Sequence, residues 1–212
     1  MTTVRPVPPP AVLATALQDA GADAGRQAPI LDAALALFLE FGTRRTTMDD
    51  VAKRAGVGRA TLYRAFADRN ALVQAVVVRE CARAIRAIER QLAEIDDDEQ
   101  RFVEGFVLVV RDARAHPLVR RLFDIEAEWL LPHFTVHGMP VLEIARTYVA
   151  DRLRALQAQG RFPALDADAA AELLLRLAHS LVLTPGSLVS AQDEDSLRRY
   201  ARHFVLPLLR RP

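Results

Sequence analysis

Residues 46–66 read Thr-Thr-Met-Asp-Asp-Val-Ala-Lys-Arg-Ala-Gly-Val-Gly-Arg-Ala-Thr-Leu-Tyr-Arg-Ala-Phe, with two closely spaced glycines between two short runs of helical periodicity. This pattern permits little besides a tight helical hairpin. Thr47 precedes an apolar stripe and Asp50 follows three residues later. That is the spacing of a capping box, in which each side chain serves a backbone amide of the other's turn. Met48, Val51, Ala52 and Ala55 recur at i, i+3, i+4 and i+7 and predict one buried face. Gly56 is expected to close the first helix in the left-handed conformation, Val57 to plug the turn and Gly58 to open the second helix. Leu62 and Phe66, with Tyr63 at their edge, supply the inward stripe of that second helix.

Arg59, Ala60, Thr61, Arg64 and Ala65 remain on its outward face. Small residues let a helix approach a groove floor, and Thr61 offers a methyl or a hydroxyl. Arg59 or Arg64 can fork onto a guanine edge, while Tyr63 can direct its hydroxyl at a phosphate. The pair therefore has the layout of a helix-turn-helix whose second helix enters the DNA major groove. Ile30, Leu31, Ala34, Leu35, Phe38 and Phe41 predict a further amphipathic helix, ending at Gly42, that closes a three-helix core. Asp68 is placed to cap another helix, whose first turn carries Arg69 and Asn70 as a phosphate grip.

Phe38-x-x-x-Gly42, Thr46-Thr47-x-x-Asp50-Val51-Ala52, Ala55-Gly56-Val57, Thr61-Leu62-Tyr63-x-x-Phe66 and Leu72 together resemble the N-terminal signature of the TetR family of transcriptional regulators. The resemblance covers residues 29–72 and implies a homodimeric, all-helical repressor released from its operator by a small ligand. It implies phosphate contacts at Thr47, Tyr63 and Arg69, and base-reading positions at Arg59, Ala60, Thr61, Arg64 and Ala65. Gly58 stands where the family usually has Ser, Ala60 where Gly is common, Ala65 where His is frequent and Arg69 where Lys is usual. These exchanges bear on the base sequence read rather than on the act of binding. Asp49 is left outside the expected contact set.

The 212 residues are 51% hydrophobic and carry a formal net charge of +1, so bulk charge alone gives no sign of a nucleic-acid partner. Within residues 28–72, however, Arg44, Arg45, Lys53, Arg54, Arg59, Arg64 and Arg69 outnumber five acidic residues, a local basic face on a nearly neutral chain. One cysteine, Cys81, excludes an internal disulfide and fits a reducing cytoplasm. No apolar run approaches the roughly 20 residues that span a bilayer, so no membrane partner is expected. Residues 1–27, rich in proline and alanine, lack a basic leader with a continuous apolar core and read as a disordered arm rather than a signal peptide.

From Asp68 onward the breaks at His116-Pro117, Gly138-Pro140, Gly160-Pro163 and Pro185-Gly186 partition a helical bundle. Helices are expected over about 69–95, 96–115, 118–132, 140–159, 169–183 and 193–209. The expected fold is all-α: an arm over 1–27, a helix-turn-helix DNA-binding domain over 28–72, and a ligand-binding and dimerisation domain over 73–212. Dimer contacts are expected at Leu173, Leu177, Leu181, Leu197, Tyr200 and Phe204. Phe102, Phe106, Phe123, Glu126, Trp129, His133, Phe134 and Met139 are the candidate lining of an effector cavity. His133 and His137 have the i, i+4 spacing of paired metal ligands, but Pro132 and Gly138 flank them and no third ligand is evident. No phosphate loop, nucleophile elbow or paired cysteine motif supports an enzyme, and no cofactor is expected. The expected partners are double-stranded DNA, a second copy and a small, largely apolar effector; the alternative is a helical small-molecule-binding protein or enzyme whose helix-turn-helix is incidental.

Overall fold

A computed structural model describes residues 24–124, 127–184, 189 and 193–210. Among these residues the chain forms α1 (Ala24–Phe41), α2 (Met48–Ala55), α3 (Arg59–Ala65), α4 (Arg69–Leu92), α5 (Asp98–Ala115), α6 (Pro117–Asp124), α7 (Ala127–Phe134), α8 (Met139–Ala158), α9 (Ala167–Leu183) and α10 (Glu194–Tyr200). No strand occurs among the described residues, and the fold is all-α as expected. Most of the arm expected over 1–27 lies outside the described residues, and α1 begins at Ala24, inside its expected extent.

The chain divides into two compact units. The described part of one, the head, comprises residues 24–82 and 116–141; that of the other, the body, comprises 83–115 and 142–210. The unit holding the hairpin is thus larger than residues 28–72. Leu118 of α6 is buried in the same core as α1–α4, and Phe134 and Val141 pack against it. Arg121 of α6 also donates from Nη1 to the Leu39 carbonyl at 2.9 Å, near the end of α1.

The head's core follows the sequence periodicity. Ile30, Ala34, Phe38, Val51, Leu62, Leu72, Val73 and Val76 have essentially no exposed surface, and Val57 packs against them from the turn. Burying a Leu or Phe of this kind is worth about 1.5–3 kcal/mol relative to leaving it in water. One expected member departs: Phe41 is 51% exposed and lines an open groove of about 580 Å³ with Leu37, Arg45, Thr46, Asp50, Lys53 and Arg54. It stands in the final turn of α1, where the chain turns away at Gly42 with φ 90° and leaves the ring facing that groove. Arg79 of α4 is braced against α1 by Asp32 at 2.8 Å and by the Ala28 carbonyl at 3.5 Å.

In the body, α5 packs against α9 and α10. Its core includes Val103, Phe106, Val107, Val110, Ala171, Leu174, Ala178 and Leu197. Asp166 and Asp193 cap α9 and α10, each accepting from two backbone amides. The single last helix expected over 193–209 is instead three successive pitches. After α10 the backbone widens to a π turn over Ala201–Val205 and tightens to a 3-10 turn over Leu206–Leu209. Pro207 is the cause: it has no amide hydrogen, and its ring crowds the carbonyl four residues back.

Candidate nucleic-acid interface

The site is built outward from the turn between α2 and α3. Thr47 is extended, with φ −97° and ψ 160°. Its hydroxyl accepts from the Asp50 amide at 3.2 Å and donates to Asp50 Oδ2 at 2.6 Å, while the Thr47 amide donates to the same carboxylate oxygen at 3.0 Å. These bonds from the Thr47 side chain and backbone hold the Asp50 carboxyl below its usual pKa, and Lys53 adds a smaller attraction. The expected capping box is therefore present in full.

At the other end of α2, Gly56 adopts φ 68° and ψ 28°. Its amide donates to the Lys53 carbonyl at 3.3 Å, and the Val57 amide donates to the Ala52 carbonyl at 3.0 Å. This pair of bonds is the Schellman closure, which needs a left-handed residue at the turn. Gly58 has φ −71° and ψ 149°, and no side chain caps the start of α3. Its carbonyl nevertheless accepts from the amides of Thr61 and Leu62, at 3.0 and 3.1 Å.

On α3, Leu62 alone is fully buried; Arg59, Ala60, Thr61, Tyr63 and Arg64 are exposed. Ala65, expected outward, is half-buried and packs against the head's core. Two residues expected to contact DNA already have partners within the chain. Arg59 Nε lies 2.8 Å from Asp49 Oδ1 across the turn. Arg69, on α4, donates from Nη1 to the Arg44 carbonyl at 2.9 Å. The latter bond ties the start of α4 to the loop after α1. In that loop Thr43 and Thr46 are buried, and Thr46 Oγ1 donates to the Gly42 carbonyl at 2.7 Å. Arg44 and Arg45 remain exposed. Sequence reasoning left out Asp49. The signal available for it was charge alone: an acid in the first turn of α2 and a base at the first residue of α3, on either side of a turn that folds them together.

The candidate effector residues fall in both units. Phe106 is buried in the body, its ring 6.4 Å from that of Tyr200, and Phe102 is half-buried there. In the head, Phe123 is exposed, His133 is buried, and Phe134 packs on the core of the helix-turn-helix. Trp129 lies on α7 and Met139 begins α8, while Glu126 lies outside the described residues. Burial first, and the neighbouring His137 second, lower the His133 pKa from its ordinary value. The two rings are 6.3 Å apart. No group of three His, Cys, Asp or Glu suited to a metal ion occurs among the described residues.

Of the candidate dimer residues, Leu173 and Phe204 are exposed, Phe204 to 67%, and Leu177, Leu181 and Tyr200 are half-buried. Tyr200 also stands 5.6 Å from Phe204, ring to ring. Leu197 departs from expectation: with no exposed surface, it packs inside the protomer and leaves nothing to offer a second copy. No helix among the described residues is long and apolar enough to cross a membrane.

Comparison with known proteins agrees with this geometry. The profile of bacterial regulatory proteins of the tetR family matches residues 30–76, and that of the bacterial tetracyclin repressor C-terminal domain matches residues 97–202. An uncharacterized HTH-type transcriptional regulator of Mycobacterium tuberculosis is 32% identical over 184 residues, which cover 85% of this chain and 83% of that protein. Among solved structures, the TetR family repressor AlkX from Dietzia sp. strain DQ12-45-1b, implicated in biodegradation of n-alkanes, superposes with a TM-score of 0.65 at 28% identity. That superposition covers 85% of this chain and 93% of AlkX. GusR of Salmonella enterica shares the fold, with a TM-score of 0.59 at 24% identity over 86% of this chain and 94% of its own. The relatives are regulators and not an enzyme class. The chain belongs to the TetR family of helix-turn-helix transcriptional regulators.

Proposed function

We propose that this regulator is a cytoplasmic homodimeric repressor that grips an approximately palindromic operator and is released by a small, largely apolar effector. The observation that carries the DNA-reading role is the α2–α3 hairpin. A rigidly capped turn presents an α3 whose inner face is fixed by Leu62 and whose outer face exposes Arg59, Ala60, Thr61, Tyr63 and Arg64. In this reading Arg59, Ala60, Thr61 and Arg64 face base edges, and Thr47, Tyr63 and Arg69 face phosphates.

One helix-turn-helix contacts too few base pairs for strong selectivity, so a second copy is required. Two-fold pairing would place two α3 helices one DNA turn apart, about 34–36 Å. The exposed apolar side chains Leu173, Phe204 and Leu208 of the body support such a pairing. The n-alkane connection of AlkX supports an apolar effector, whose cavity we place within residues 73–212. The effector acts by population shift: it prefers a conformation in which the paired α3 helices are misplaced, and weakens DNA binding by its differential affinity for the two states.

Fluorescence anisotropy against a duplex from the protein's own upstream region, with a scrambled duplex as control, tests this reading. Salt-sensitive, sequence-selective binding at two chains per site supports it. Tyr63→Phe and Arg69→Ala should weaken binding to every sequence, whereas Arg64→Ala should relax preference at particular positions by about 1–3 kcal/mol. Binding that ignores sequence in all of these proteins would refute it.

A further inference from the structure

Asp49 stands in the first turn of α2, facing the solvent, with a negative charge where a polyanion is meant to dock. A carboxylate there opposes approach to phosphates, and the capping box of its helix is made by Thr47 and Asp50 without it. Its partner is instead Arg59, the first residue of α3, which it meets through Nε at 2.8 Å. Both side chains are more than half exposed, so the contact contributes little to folding.

What the contact changes is the conformation of Arg59. An arginine on an exposed helix surface samples many rotamers, and ordering it on a base edge carries an entropic cost. The carboxylate occupies the Nε edge of the planar guanidinium and leaves the terminal amino groups for the fork that matches guanine O6 and N7. We infer that Asp49 is a positioning residue for DNA selectivity: it tethers Arg59 in a base-reading rotamer and, by its charge, weakens attachment to DNA of any other sequence.

This inference rests on the base-reading role proposed for Arg59. The two can be separated with a duplex selected by the full-length dimer from a randomised pool, together with single-base variants of that duplex and a scrambled control. Arg59→Ala should lose preference at one base pair in each half-site, by fivefold or more, the lower end of a bidentate base contact. Asp49→Asn should lose up to about fivefold of preference at that same base pair, the limit set by an exposed ion pair. It should also bind the scrambled duplex more tightly. In an Arg59→Ala background, Asp49→Asn should change no base preference at all. A merely structural role for Asp49 would instead lower affinity for every duplex alike.

Full preference in Asp49→Asn alongside lost preference in Arg59→Ala would overturn the tether while leaving Arg59 as a base reader. Unchanged preference in Arg59→Ala would overturn the base-reading role, and the tether with it. A loss caused by Asp49→Asn that persists in the Arg59→Ala background would show that Asp49 acts through some other group.

Discussion

Replacing Gly56 by alanine isolates the backbone demand of the turn from its packing. Gly56 has φ 68°, and a Cβ built on it would meet no atom within 4 Å. Any destabilisation must then come from the dihedral alone. An L-residue in the left-handed region costs about 1–2 kcal/mol, and alanine recovers about 0.4–1 kcal/mol by restricting the unfolded chain. The net expectation, from the middle of each range, is a loss of about 0.8 kcal/mol. Gly58 is the internal control. Its surroundings are equally empty, but its φ of −71° suits any residue, and α3 lacks a side-chain cap. Gly58→Ser should therefore gain a few tenths of a kcal/mol by supplying that cap. Because the chain packs as two units, amide hydrogen exchange in α2 and α3 is a sharper assay than one global melt. Gly56→Ala should exchange faster there than wild type and Gly58→Ser slower. A Gly56→Ala protein as protected as wild type, or a Gly58→Ser protein as weakened as Gly56→Ala, would refute the reasoning.

Acid should weaken the head through His133. Burial lowers its pKa from the ordinary 6.5, so its contribution is complete above that value and is lost as pH falls below it. His133→Gln should flatten the acid side of the stability curve measured by urea midpoint, and an unchanged slope would count against it. Burial pushes the Cys81 thiol up to about 11. At pH 8 only about a thousandth would be thiolate, so iodoacetamide should label the folded protein far more slowly than the urea-unfolded chain; equal rates would contradict the burial. Leu197→Ala should destabilise the body by about 2–5 kcal/mol, since that side chain is fully buried. Phe204→Ser should leave the fold intact and weaken self-association by about tenfold or more, as sedimentation would read. The reverse assignment of these two phenotypes would place the dimer surface elsewhere.

The hairpin was legible because its determinants are local. Thr47, Asp50, Gly56 and Val57 act within one or two turns, and side-chain spacing alone specifies their bonds. The helix start at Asp193 was legible for the same reason. What the sequence hid depends on groups distant along the chain. Leu197 and Phe204 share one periodic stripe, yet one is fully buried and the other largely exposed. Between them the pitch widens ahead of Pro207, and a stripe drawn at 3.6 residues per turn loses its phase. Phe41 fits the α1 stripe equally well and is exposed, lining the open groove beside Arg45 and Arg54. The attachment of α6 to the head rests on Leu118 and on the bond from Arg121 to Leu39, which join residues about eighty apart. The Asp49–Arg59 pair is a tertiary contact that periodicity does not register.

The two arginine braces on α1 have a mechanical consequence. Arg79 fastens the early part of that helix to α4, and Arg121 fastens its far end to α6. Displacing either α4 or α6 therefore drags α1, and the hairpin packed on α1 follows as cargo. Within the head, a shift of either helix against α1 would have to break the bond that its arginine makes.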